Sequence, residues 1–277
     1  MSYPAAIFRR VVAVCATVAM TATGWAAPAT AVAVSIAPAP LQYVALGDSY
    51  AAGLGSAPTS DKCGRTSVAY PALLARQADG KVAFRNAACS SAATADVIRQ
   101  AGTLTARTGL VTITAGANDL GFRQVLAACA NAATAAACRR GNLALDRRLK
   151  TLPRDLNRMI RAVVTAAPDA RVVVTGYPLP FAKAKSCPSV PLSAKVRARA
   201  NQVVTSLNSA IAAAATRNRV RFVDVDKEFA GHALCSTRPW LVGTSGLRDN
   251  TVLHPTATGH ARGYLPVVAG SGLADRA

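Results

Sequence analysis

Apolar residues in this chain recur in two patterns. Short, dense runs rich in β-branched residues, bounded by glycine or polar clusters, have the length and composition of buried strands. Tyr43 to Leu46 before Gly47, Val82 to Asn86, Leu110 to Thr114 before Gly116, Arg171 to Thr175 before Gly176, and Val220 to Val225 are of this kind. Longer stretches carry helical periodicity: Val68 to Gln77, Leu143 to Ala167 closing at Pro168, and Ser193 to Arg217. Thr256 onward, after Pro255, is placed to open a last helix. Strand and helix alternate, which predicts a parallel sheet covered on both faces in a single α/β domain.

In such sheets functional groups gather beyond the carboxyl ends of the strands. Three predicted strand ends carry polar clusters: Gly47-Asp48-Ser49, Ala88-Cys89-Ser90-Ser91 and Gly116-Ala117-Asn118-Asp119. The pattern thus points to one edge of the sheet before any residue is assigned a role.

Composition bears on where the protein works. The 277 residues are 51% hydrophobic, enough for one sizeable domain with a buried core. The first 33 residues read as a secretory signal: Arg9 and Arg10, then the apolar stretch Val11 to Met20, then small residues at Ala27-Pro28-Ala29 and Ala31-Val32-Ala33. Cleavage is expected between 27 and 33, leaving 34–277 as the domain. The uninterrupted apolar run is short for a membrane span of roughly 20 residues. Cys15 falls within the signal, so the domain keeps Cys63, Cys89, Cys129, Cys138, Cys187 and Cys235. No C-x-x-C spacing points to zinc or redox chemistry, and three structural disulfides in an oxidising compartment are the economical reading. Six cysteines admit about 15 pairings, and the spacing alone does not choose among them.

The formal charge is +19, or +17 once Arg9 and Arg10 are removed. A cationic surface attracts anionic lipid, acidic wall polymer or nucleic acid. The basic residues are scattered, and aromatics are only 5% of the chain. Nucleic-acid binders interleave aromatics with basic residues, so no dedicated nucleic-acid site is expected. A cationic envelope or nucleic-acid binding protein without activity is the non-enzymatic alternative.

Ser49, at the end of a buried strand, is a candidate nucleophile, which needs a base within hydrogen-bond reach. The chain offers His232, His254 and His260. None of these pairs has the i, i+4 spacing of a zinc protease. An attacked ester also needs preorganised donors for its oxyanion, and the Asn118 side-chain amide suits that task. Ser49 is followed by Tyr50 and Ala51, so the Gly-x-Ser-x-Gly elbow of α/β-hydrolases is absent.

The three blocks together resemble the SGNH (GDSL-like) hydrolases, and most closely their secreted actinobacterial lipases and esterases. Gly47-Asp48-Ser49-Tyr50-Ala51-Ala52-Gly53 is similar to the first block, Gly116-Ala117-Asn118-Asp119 to the Asn block, and His254-Pro255 with Thr256 and Gly259 to the His block. The likeness runs from Tyr43 to Tyr264. It implies a three-layer, flavodoxin-like α/β/α fold with Ser49 as nucleophile and His254 as base. It also implies an oxyanion hole from Ser49 N–H, Asn118 and the second block, Ala88 to Thr94, where Ser91 stands in the place of the usual Gly. The family often has Asp three residues before its His, where this chain has Thr251. Related secreted esterases orient the His with a backbone carbonyl, so the Thr251 carbonyl is the expected partner and Asp249 the alternative. The resemblance pairs the cysteines sequentially: Cys63–Cys89, Cys129–Cys138 and Cys187–Cys235.

The expected activity is hydrolysis of carboxylic esters through an acyl-serine, by a monomer with no metal or organic cofactor. Phospholipid, acetylated sugar and thioester are alternative substrates for the same machinery.

Overall fold

The computed structural model of the chain describes residues 40–130, 132–187, 190–243 and 250–271. The expected signal segment and Asp249 lie outside these residues. Five strands are described: β1 (Leu41–Gly47), β2 (Val82–Asn86), β3 (Thr108–Thr114), β4 (Arg171–Thr175) and β5 (Arg221–Val223). Helices α1 (Ser49–Ala52) and α2 (Tyr70–Gln77) follow β1, and α3 (Thr94–Gln100) follows β2. After β3 come α4 (Ala117–Leu120), α5 (Phe122–Cys129) and the long α6 (Ala135–Ala166). Helix α7 (Ala194–Arg217) follows β4, and α8 (Leu265–Ala269) is entered through a π-type turn at Gly259–Tyr264.

The strands pair in parallel in the order β2-β1-β3-β4-β5. This is the α/β sheet expected of the flavodoxin-like class. The chain steps outward from β1 to β2, then returns past β1 to β3. That reversal opens a crevice beyond the carboxyl ends of β1 and β3, where ligands of such sheets bind.

Strand side chains alternate between faces. Val44 and Leu46 of β1, Val111 and Ile113 of β3, and Val172 and Val174 of β4 pack with α3, α6 and α7. Tyr43, Leu110 and Val173, their neighbours in sequence, pack on the other face with Tyr70 and Leu74 of α2 and Val268 of α8. Three layers result. The second face also buries hydroxyls, and these pair with one another: Tyr43 with Thr112 at 2.9 Å, Tyr70 with Thr114 at 2.9 Å, and Thr114 with Thr175 at 2.7 Å.

Strands β1 and β3 each begin two residues before the expected run, at Leu41 and Thr108, and three further elements shift for identifiable reasons. Helix α6 begins at Ala135, well before Leu143. Its first turn is Ala135-Ala136-Ala137, which favours helix without showing an apolar period. Strand β5 stops at Val223 because the next residues turn: Asp224 accepts the Asp226 N–H at 2.9 Å, and Asp226 accepts the Leu179 N–H at 2.9 Å. Helix α2 starts at Tyr70, with Pro71 in its first turn and Ala69 extended before it. The structure brings Cys63 to Cys89, Cys129 to Cys138 and Cys187 to Cys235, each at disulfide distance.

Candidate active site

Strand β1 ends in a turn that only glycine can make. Gly47 has φ +130°, and a Cβ there would run into the Thr114 carbonyl of β3. The following N–H, that of Asp48, donates to that same carbonyl at 2.9 Å. Asp48 is extended and caps α1, its Oδ1 accepting the Tyr50 N–H at 2.9 Å. Ser49 is thereby the first residue of a one-turn helix and is buried at 7% exposure. The other carboxylate oxygen of Asp48 accepts the Tyr177 hydroxyl at 2.6 Å. Burial pushes the Asp48 carboxyl up to about 7, against the pull of those two hydrogen bonds.

His254 is held by a second tight turn. Its N–H donates to the Thr251 carbonyl at 3.1 Å, and Leu253 between them has φ +72°. The Leu253 carbonyl accepts the Tyr50 hydroxyl at 2.7 Å, which ties this turn to the residue after Ser49. On its other side, the Val242 N–H donates to the His254 carbonyl at 2.8 Å. The imidazole then meets two partners: Nε2 lies 2.6 Å from Ser49 Oγ, and Nδ1 lies 3.0 Å from the Thr251 carbonyl oxygen. Gly55 allows this packing, since a Cβ there would come within 3.2 Å of both His254 Cβ and the Thr251 carbonyl.

Asn118 sits in the first turn of α4, past Gly116 at the end of β3. Its amide donates to the Ala92 carbonyl at 3.0 Å, which fixes the side chain and leaves a second N–H on the same nitrogen. The adjacent Asp119 is structural: it accepts the Thr94 hydroxyl at 2.6 Å and the Thr94 N–H at 3.0 Å, where α3 begins. Ser49, Asn118 and His254 line one cavity together with Tyr50, Arg123 and Tyr177. Ser91 is exposed and adopts φ +67°, a conformation that glycine takes at less cost. Its backbone N–H has no hydrogen-bond partner among the described residues, and its side chain is not part of the cavity wall.

The remaining histidines are elsewhere. His232 stacks on Trp240 at 3.6 Å, with Nδ1 at 2.8 Å from the Arg238 carbonyl. His260 is buried against Tyr70 and Tyr264. Asp48, Tyr50 and Tyr177 brace the two turns without being marked as functional by the sequence pattern. Asp48 carries a local signal, being the residue before Ser49 at a strand end, whereas Tyr177 reaches it only through the fold. Chemically, the arrangement offers a hydroxyl, an imidazole that is a hydrogen-bond neighbour of it, and N–H donors around the same cavity.

A model of the GDSL-like Lipase/Acylhydrolase family matches residues 45–262. A lipase of Streptomyces rimosus is 40% identical over 230 residues, covering 82% of this chain and 85% of that protein. Lipase 1 of Streptomyces coelicolor is 38% identical over 233 residues, 83% of this chain and 86% of that protein. The crystal structure of the extracellular lipase from Streptomyces rimosus matches with a TM-score of 0.77 and 39% identity, covering 83% of this chain and 98% of that one. That of phospholipase A1 from Streptomyces albidoflavus NA297 also reaches 0.77, at 36% identity, covering 84% of this chain and 99% of that one.

Proposed function

We propose, from the premise that this chain belongs to the GDSL-like lipase/acylhydrolase family and is an ester hydrolase, that it works through an acyl-Ser49 intermediate with His254 as base. The observation that carries this reading is the pair of contacts on one ring, 2.6 Å from Nε2 to Ser49 Oγ and 3.0 Å from Nδ1 to the Thr251 carbonyl. A carbonyl can only accept, so the proton resides on Nδ1. Nε2 then carries the free lone pair and accepts the Ser49 hydroxyl.

As Ser49 Oγ bonds to the ester carbon, its proton passes to Nε2. The imidazolium so formed is stabilised by the Thr251 carbonyl dipole. The carbonyl oxygen of the substrate becomes an oxyanion, received by the Ser49 N–H, the Asn118 amide and the Ser91 backbone N–H. The Nε2 proton then leaves with the alcohol, and the acyl group stays on Oγ. Water then loses a proton to Nε2 and attacks the acyl carbon; as the Oγ–acyl bond breaks, Nε2 returns that proton to Ser49 Oγ and the acid leaves.

The substrate is a carboxylic ester or lipid. The protein acts outside the cell after loss of a signal within residues 1–33. Three cysteine pairs at disulfide distance fit an oxidising compartment. Among the described residues no helix is long and apolar enough to cross a membrane. The +17 that remains favours approach to anionic lipid or wall polymer.

Ser49→Ala tests the reading. Turnover of p-nitrophenyl butyrate should fall by several orders of magnitude while circular dichroism and Tm stay near wild type. A folded variant that keeps more than about a tenth of the rate overturns it.

A further inference from the structure

Ser49, Asn118 and His254 come from three separate stretches of the chain, each at its own turn. Their mutual spacing is therefore set by side chains that reach between the turns. Tyr177 reaches two of the turns directly and the third through Tyr50. It lines the same cavity and belongs to none of the three sequence blocks.

The backbone of Tyr177, just past the end of β4, is clamped from α7. Its N–H donates to Asn208 Oδ1 at 2.9 Å, and Asn208 Nδ2 donates to its carbonyl at 2.8 Å. The preceding Gly176 donates its N–H to the Val223 carbonyl at 2.9 Å and accepts the Tyr264 hydroxyl at 3.1 Å. From this fixed point the buried side chain extends towards the ends of β1 and β3. Its hydroxyl donates to Asp48 Oδ2 at 2.6 Å and accepts the Ala117 N–H in a longer bond of 3.4 Å. Asp48 caps α1, whose first residue is Ser49, and Ala117 opens α4, whose second residue is Asn118. Gly116, at the cap position of α4, has no side chain to do there what Asp48 does for α1. One hydroxyl thus bridges both helix starts. The Tyr177 ring also meets Tyr50 edge-on at 5.0 Å, and Tyr50 holds the His254 turn through the Leu253 carbonyl.

We infer that Tyr177 is a positioning residue for the oxyanion hole: its hydroxyl holds the Asn118 amide at the distance from Ser49 that the transition state needs. The inference rests on Ser49 and Asn118 having the roles proposed above. Tyr177 acts through Asp48 and Ala117, not on the ester itself. Donors to an oxyanion work only when they are preorganised around the attacked carbon. A misplacement of about 1 Å costs on the order of 100-fold in rate.

Tyr177→Phe keeps the ring and removes the hydroxyl. With p-nitrophenyl butyrate, kcat should fall about 30- to 100-fold while KM stays within about threefold. In an Asn118→Ala background the same substitution should cost less than about threefold, because the spacing of an absent amide no longer matters. Tyr43 is the matched control, another buried tyrosine, with its hydroxyl 2.9 Å from Thr112 and away from the cavity. Tyr43→Phe should lower Tm about as much as Tyr177→Phe and keep kcat within about twofold. If Tyr177→Phe does not fold, Asn208→Ser, which loosens the clamp, is measured in the same two backgrounds with the same pattern expected. A folded Tyr177→Phe within about threefold of wild-type kcat overturns the inference. So does a cost that persists in full on top of Asn118→Ala, which would make Tyr177 a part of the general fold. If Asn118→Ala alone leaves kcat unchanged, the oxyanion reading falls and the inference with it; a Tyr177 failure beside a large Asn118 effect condemns the inference alone.

Discussion

His254 and His260 lie in adjoining segments and are both buried, at 3% and 0% exposure. Their surroundings nonetheless set opposite tautomers. His254 meets a carbonyl at Nδ1 and a hydroxyl at Nε2, which places its proton on Nδ1. His260 accepts the Tyr70 N–H at Nδ1, at 3.2 Å, so its proton resides on Nε2, which has no partner among the described residues. Burial, helped by the nearby His254, pushes the His260 ring down to about 3. It is a neutral packing residue among Tyr70 and Tyr264. Burial therefore does not distinguish the two. What distinguishes them is which groups face each nitrogen, and those are supplied by the turn at Thr251 in one case and by the start of α2 in the other.

Removing each ring in turn separates the two roles most strongly. His254→Ala should cost at least about 1,000-fold in kcat with little change in Tm, as for loss of a general base. His260→Ala should instead lower stability by about 2–4 kcal/mol, through a cavity and an unpaired Tyr70 N–H, and leave kcat within about tenfold. Urea titration and ester kinetics on the same preparations decide it. Equal kinetic losses would mean that His260 takes part in the chemistry.

Asn118→Ala should reduce kcat by roughly 100-fold with KM little changed, because a donor to the oxyanion acts in the transition state. A rise in KM alone would make Asn118 a binding residue.

Asp48, beneath Ser49, sharpens the contrast through pH. Its carboxyl is raised from 3.8 to about 7, chiefly by burial. As pH rises from about 4 to about 7, the unfolded chain gives up this proton while the folded one retains it, so folding stability falls across that window. Asp48→Asn removes the loss. Its Tm relative to wild type should climb from pH 4 to pH 7. A relative Tm that drops over the same range would show Asp48 to be an anion in the fold.

The smallest effect is expected at Thr251. The carbonyl facing His254 belongs to the backbone, so Thr251→Ala should keep kcat within roughly tenfold of wild type. A loss near 1,000-fold would give the Thr251 hydroxyl a part that the carbonyl does not cover.

Much of this was legible in the sequence, for reasons particular to each element. β4 is a short β-branched run between Pro168 and Gly176, and β2 follows Asp79-Gly80 with its residues alternating in burial; the bounds of both match. Helix α3 was not legible, having only Val97 and Ile98 as large apolar residues among seven, whereas α5 carries Phe122, Val125, Leu126 and Cys129 at helical spacing but is only eight residues long. The positive φ of Ser91 was foreshadowed by the glycine that the family has there. The hydrogen bond between Tyr177 and Asp48 spans 129 residues of chain and reflects no local pattern. The folding back of Thr251 onto His254 was within reach of sequence reasoning, because a spacing of three is what a tight turn closes.

In the proposed reaction Ser49 Oγ is the atom that carries the acyl group. The most direct measurement is to treat the protein with a fluorophosphonate, digest it and locate the adduct by mass spectrometry. One adduct per chain is expected, on the peptide bearing Ser49, strongly reduced in His254→Ala and absent in Ser49→Ala. An adduct on any other residue, or complete inhibition with Ser49 unmodified, would contradict the account.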